Sequence, residues 1–320
     1  MQRVVVAIPH FFDRHSVGEA RHDSGRADSA AKRAAALSYV IYKLHELFNQ
    51  PYLIAQHSKQ NVVEHSAADK MQVDIYVVTN GDNHLIDQLS CSSRLYNHVP
   101  AEGDPRWLGL AAHKVLAMTL GRYDWYCYLE DDIAIEDPFF FHKLRYAYDL
   151  LDAQVGADTI LQPMRVESLW DAANPALPTP RKLYPDWESR PPTFEGPLVH
   201  IDMLGRRWTL EPARHPHAGA FFLDQVRSTQ FVNSKYCGEV VEIWVTPPYT
   251  TATWNVMQVF RPYKPAVDSL AFLEIRHLRP AMITALRQET EGVDNGAYTW
   301  RKSRNLRCPD RGPLLCPAQH

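Results

Sequence analysis

The chain has 320 residues, with 37 acidic and 34 basic side chains and a formal net charge of −3. That balance implies no general affinity for polyanions, so no nucleic-acid partner is expected. Hydrophobic residues make up 45% and charged residues 22%, which suits a globular chain long enough for one large α/β domain or two modest ones. No stretch approaches the roughly 20 apolar residues of a membrane span, and the apolar run at residues 4–8 is too short for a signal peptide. No transmembrane segment and a cytoplasmic location are therefore expected.

Residues 4–8 (VVVAI) read as a buried, parallel strand that ends in the loop residues Pro9 and His10. Residues 13–28 are polar and read as a loop. A helix is predicted over 29–48, with Ser29 as its cap and Leu37, Ile41, Leu44 and Phe48 on one face; Pro51 ends it. A second strand spans 73–79 and closes in the turn Asn80-Gly81-Asp82-Asn83. A helix over 107–120 precedes a third strand, 125–129, which delivers Glu130, Asp131 and Asp132. This alternation predicts a Rossmann-type, mainly parallel sheet flanked by helices, with ligands at the carboxyl ends of the strands. The first loop, the Asp82 turn and the acids all fall at such ends.

A helix follows over 138–151. Residues 170–216 are rich in proline and carry Trp170, Trp187 and Trp208, so they read as an ordered, irregular surface able to stack on sugars. Beyond it come the glycine-bearing stretch His217-Ala218-Gly219-Ala220-Phe221, a strand at 240–245, a helix-like patch at 250–260 and the segment 273–278. The organisation predicted is one domain over 1–290, with a nucleotide-binding half (1–152) and an acceptor-binding half (153–290), then a polar tail over 291–320. The cysteines Cys91, Cys127, Cys237, Cys308 and Cys316 lack zinc-type spacing. Cys127 reads as a small buried hydrophobe, while Cys308 and Cys316 can pair in an oxidising compartment.

Three consecutive carboxylates repel one another, and a divalent cation removes the penalty. Hard oxygen donors suit Mn²⁺ or Mg²⁺, which keep positions open for substrate phosphates. Alternation along a strand would send Glu130 and Asp132 to one side and Asp131 to the other. A competing reading, acids gathered at a helix N-terminus, fits Glu136 and Asp137 better, because a helix follows them. Lys114 on the second helix, or His113 beside it, is placed to reach a diphosphate, and His10, Arg14, Arg21 and Arg26 form a cationic loop able to close over one.

The run Tyr128-Leu129-Glu130-Asp131-Asp132-Ile133 resembles the metal-binding Asp-any-Asp motif of GT-A glycosyltransferases, with glutamate in the first place. The resemblance extends as an order of features over residues 1 to about 280. It implies that Glu130 and Asp131 lie near the nucleotide sugar, that Asp132 binds the metal and that His277 completes the metal site. It also implies nucleotide contacts from Pro9, His10 and Asp82, and a Gly219 loop lying against donor and acceptor. A catalytic carboxylate is expected at Glu239 or Glu242. The activity implied is Mn²⁺- or Mg²⁺-dependent transfer of a sugar from a UDP- or GDP-sugar to a carbohydrate or other hydroxyl acceptor. The course is inverting if one of those glutamates takes the acceptor proton, and retaining otherwise. Two alternatives stay open. One is a metal-dependent nucleotidyltransferase or phosphohydrolase, although residues 9–17 lack the glycine-rich phosphate loop expected of the former. The other is a non-catalytic carbohydrate- or partner-binding domain on the same fold.

Overall fold

Runs of β-branched and aromatic residues too apolar to face water on either side build the centre of the molecule. The computed structural model describes residues 2–13, 27–49, 52–65, 71–168, 182–187, 191–241, 246–279, 286–288 and 298–300. In chain order β1 (Arg3–His10) leads to α1 (Ala27–Phe48), the hairpin β2 (Tyr52–Gln56) and β3 (Asn61–His65), β4 (Gln72–Asn80) and β5 (Asn97–Ala101). Then come α2 (Leu108–Met118), β6 (Trp125–Leu129), β7 (Ile133–Ala134) and α3 (Phe140–Gln154). The second half holds β8 (Thr159–Leu161), β9 (Met164–Ser168), β10 (Lys182–Leu183), β11 (Val199–Met203), β12 (Arg206–Pro212) and β13 (Ala220–Asp224). It continues with α4 (Gln225–Val232), β14 (Arg261–Pro265), β15 (Glu274–His277), β16 (Leu286–Gln288) and β17 (Tyr298–Trp300).

The central sheet is ordered β5-β4-β1-β6-β13. Its first four strands are parallel, and β13 adds antiparallel to β6. Side chains alternate across β1. Val4, Val6 and Ile8 pack with Leu37, Ile41 and Leu44 of α1 and Phe141 and Leu144 of α3. Val5 and Ala7 pack with Val115 and Leu116 of α2 and Phe231 of α4. The fold is thus α/β, a mainly parallel sheet covered by helices on both faces. Strand order reverses between β1 and β6, and the carboxyl ends at such a switch point are where open α/β sheets bind ligands.

Two smaller sheets complete the molecule, and one of them joins the halves. The order β10-β9-β15-β7 brings β7 from the first half beside β15 from the second, and β11-β12-β14-β8 stands next to it in the chain. The strands β16 and β17 pair antiparallel, across the position where the polar tail is predicted to begin.

Several expectations are corrected. The first helix begins at Ala27, so Ser29 lies inside it rather than capping it. The region 170–216 is not irregular throughout: β11 and β12 form an antiparallel hairpin turned by Leu204 and Gly205, at φ +53° and +71°. Positive φ at both turn residues matches the right-handed twist of a two-residue hairpin. The helix-like patch expected at 250–260 is a helix, shifted to 247–257 and carrying a π turn at Thr250–Trp254. Residues 239–241 carry no strand, and the rest of the predicted strand at 240–245 lies outside the described residues. Cys127 is fully buried, and burial pushes its thiol well up; Cys308 and Cys316 lie outside the described residues.

Candidate metal and nucleotide site

Three loop ends meet at this switch point. Residues Glu130 to Ile133 form a turn, closed by Ile133 N–H donating to the Glu130 carbonyl at 3.1 Å. The acids therefore do not alternate like a strand; each faces its own partner.

Asp131 faces the end of β1. One carboxylate oxygen, Oδ2, accepts from His10 Nδ1 at 2.6 Å and from Arg33 Nη2 at 2.9 Å. Burial opposes its ionisation, yet the Arg33 charge and the His10 contact hold the carboxyl well below the usual range. The same His10 ring accepts the Leu85 N–H at Nε2, 3.1 Å away, and Phe12 N–H donates to the Asn83 carbonyl at 2.9 Å. The ends of β1, β4 and β6 are thereby tied together. Fully buried, with both ring nitrogens engaged, His10 positions this corner and has no nitrogen left for a nucleotide. Arg33 was not anticipated from the sequence.

Glu130 turns toward Gly219. Its backbone N–H donates to the Gly219 carbonyl at 2.9 Å. A Cβ on Gly219 would stand 2.7 Å from Glu130 Oε2 and 3.3 Å from Ile133 Cγ1, and φ there is +69°. Only glycine allows this close approach. Burial, and then the neighbouring Asp132 charge, push the Glu130 carboxyl up to about 7. Arg165, on β9, and His277 oppose that rise.

Asp132 faces His277. The Asp132 Oδ2 to His277 Nε2 separation is 3.4 Å, and Leu278 N–H donates to the Asp132 carbonyl at 2.8 Å. On the other side of the ring, His277 Nδ1 lies 2.7 Å from Oε1 of the fully buried Glu167. Burial disfavours the imidazolium, but contacts with Asp132 and Glu167 outweigh it and raise His277 to about 9. Among the described residues no three Asp, Glu, His or Cys side chains form a complete metal cage. The pair still fits a hard divalent ion: one carboxylate oxygen and one imidazole nitrogen converge at an open edge, with the imidazole backed by a carboxylate.

The His217 to Gly219 loop forms the adjoining wall. The His217 ring stacks on Tyr249 with centroids 4.8 Å apart, and its Nδ1 meets Thr253 Oγ1 at 2.9 Å. Lys264 Nζ donates to the His217 carbonyl at 2.6 Å. Burial and the charges of Arg165, Lys264 and His277 keep His217 neutral well below the usual histidine range. Arg165 is held in turn by Asp186 at 2.9 Å.

Other predicted residues are more scattered. Pro9 is the half-buried penultimate residue of β1. Asp82 is exposed in the Asn80 to Asn83 turn, one strand over from His10. Lys114 is exposed on α2 and flanks Gly238, where a Cβ would stand 3.6 Å from Lys114 Cγ. His113 does not reach a diphosphate: it is fully buried beneath α2 and bonded to the Thr251 carbonyl at 2.9 Å. Glu239 is exposed, with its carbonyl accepting from Asn255 Nδ2 at 3.0 Å. Glu242, Arg14, Arg21, Arg26 and Trp170 lie outside the described residues. Trp208 is not a free stacking platform, because its ring packs on Phe272 and lies under the Arg206 guanidinium at 3.9 Å. Glu136 and Asp137 serve the start of α3 and its surroundings: Asp137 accepts from Phe139 N–H at 2.8 Å, and Glu136 from Tyr39 and Arg276. Sequence reading did not find Glu167 and Arg165; the only cue was their spacing of two in a short strand.

No family model and no curated protein matches the sequence. Among solved structures the chain is similar to a Bacillus anthracis protein described as a glucose-1-phosphate thymidylyltransferase in complex with sucrose. That likeness has 11% identity and a TM-score of 0.31, and covers 82% of this chain and 87% of that chain. A likeness of this grade defines neither activity nor ligand. The molecule is an α/β protein with an acidic turn at the switch point of its sheet, and no described helix is long and apolar enough to cross a membrane.

Proposed function

We propose that the protein is a metal-dependent glycosyltransferase that moves a sugar from a nucleoside-diphosphate sugar to a hydroxyl acceptor. The observation that carries this reading is the convergence of Asp132 Oδ2 and His277 Nε2, 3.4 Å apart, at the carboxyl end of β6. They reach that point from opposite halves of the chain. In this reading Asp132 and His277 hold Mn²⁺ or Mg²⁺, and the ion supplies charge neutralisation for a leaving diphosphate. Glu130 lies on the nucleotide side, seated against Gly219. Asp131, His10 and Arg33 fix the turn that presents both. Pro9, Asp82 and Lys114 remain candidate donor contacts, and Glu239 or Glu242 the candidate acceptor-side base.

The test is hydrolysis and transfer with a panel of UDP-, GDP-, CMP- and dTDP-sugars, in Mn²⁺ and in EDTA. Turnover of one donor in Mn²⁺, reduced at least a hundredfold by EDTA and by Asp132→Ala, is the expected result. Turnover and metal response unchanged in D132A would sink the assignment. Donor binding without any turnover would favour a binding domain instead.

A further inference from the structure

Building on the metal reading above, we infer that Glu167 is a positioning residue that fixes the tautomer and aim of the His277 ring so that Nε2 is offered to the cation. The sheet sets this geometry. In the parallel pairing of β9 with β15, Arg276 stands opposite Val166, which places His277 beside Glu167 at the next step. In the antiparallel pairing of β15 with β7, His277 stands opposite Ile133, which follows Asp132. Glu167 and His277 therefore sit side by side on β9 and β15, and Asp132 continues that row from the turn one residue before β7.

The distances give that row a direction. His277 Nδ1–H donates to Glu167 Oε1 at 2.7 Å, a short charge-assisted bond, and Nε2 is left facing Asp132 Oδ2 at 3.4 Å. With its Nδ1 proton held by Glu167, the ring can offer Nε2 to a cation that displaces the proton facing Asp132. Glu167 has no solvent exposure, so its carboxylate has no direct route to substrate and reaches the proposed site through the ring it holds. Outer-shell carboxylates of this kind typically change metal affinity by 10–100-fold when removed.

Mn²⁺ alone is the probe, titrated into the full chain and read as the loss of the free-ion electron paramagnetic resonance signal. Glu167→Gln keeps an acceptor but no charge, and should weaken Mn²⁺ binding about tenfold. Glu167→Met keeps the bulk but no acceptor, and should weaken it by nearer a hundredfold. Should a variant not fold, the wild-type ring decides: ¹⁵N shifts with diamagnetic Cd²⁺ should show metal at Nε2 and a proton at Nδ1. Metal at Nδ1, or E167Q binding Mn²⁺ within twofold of wild type while D132A does not bind, would overturn this inference and leave the metal site standing. No Mn²⁺ binding by the wild type would overturn both.

Discussion

Three adjacent acids end up in three electrostatic environments because each has a different opposite number. Asp131 meets the Arg33 guanidinium and His10, Asp132 meets an imidazole, and Glu130 meets the close backbone of Gly219. A contrasting case lies beneath α2. The His113 ring donates from Nε2 to the Thr251 carbonyl and accepts the Gly238 N–H at Nδ1, at 2.9 and 3.4 Å. Protonating Nδ1 would set one N–H against another, in a place where burial already lowers the ring to about 4 from 6.5. The unfolded chain binds that proton first, so stability is full above about pH 6.5 and falls as pH drops toward 4. At about 1.4 kcal/mol per pH unit, the loss is on the order of 3 kcal/mol. Urea unfolding of wild type and His113→Gln between pH 4 and 7 checks this. The wild type should lose that much more stability than H113Q over the window, and parallel curves would refute the assignment.

Among the secondary elements, α2 shows how packing overrides local propensity. Gly109 sits in its first turn, where alanine would ordinarily gain about 1 kcal/mol. A Cβ there would stand 2.2 Å from Thr251 Oγ1 and 2.7 Å from the Tyr128 hydroxyl. Thr251 is short, fully buried, and fixed by bonds to the Pro247 and Pro248 carbonyls, so it cannot swing away. Gly109→Ala should therefore destabilise by roughly 1–3 kcal/mol, measured as a fall in the denaturation midpoint. A gain in stability would mean that the π turn at Thr250–Trp254 yields easily. This contact also marks the limit of what the sequence displayed. The strands β1 and β6 were legible as β-branched and aromatic runs buried on both faces, β4 as a β-branched run with alternating burial closed by a turn signal, and the acids at the end of β6 carried their own signal. The hairpin of β2 and β3 was not, because both strands are exposed almost throughout and show no alternation of burial. The hairpin of β11 and β12 was hidden among prolines and turned by a Leu-Gly pair instead of the usual Asn-Gly. Glu167 was invisible for another reason: its role depends on the register of β9 against β15, more than a hundred residues away in sequence.

At the level of the whole molecule the two halves exchange strands: β13 completes the sheet of the first half, and β7 completes a sheet of the second. The proposed ligand pair repeats that exchange, with Asp132 next to β7 and His277 on β15. On the proposed reading, a cation held by both and by a donor diphosphate would bind the native arrangement and have no comparable site in the unfolded chain. It would therefore stabilise the fold by mass action. At a concentration one hundred times its dissociation constant, a metal-nucleotide complex adds about 2.7 kcal/mol. For a chain of 320 residues each kcal/mol raises the melting temperature by roughly 1.5 °C, which gives a shift of roughly 4 °C. The matching nucleoside diphosphate with Mn²⁺ should produce that shift in a thermal melt, and the nucleotide with EDTA only a fraction of it. Because the two ligands come from different halves, Asp132→Ala and His277→Ala should each abolish the metal-dependent increment, and the double variant should lose no more than either alone. An increment that survives in both single variants would place the cation elsewhere.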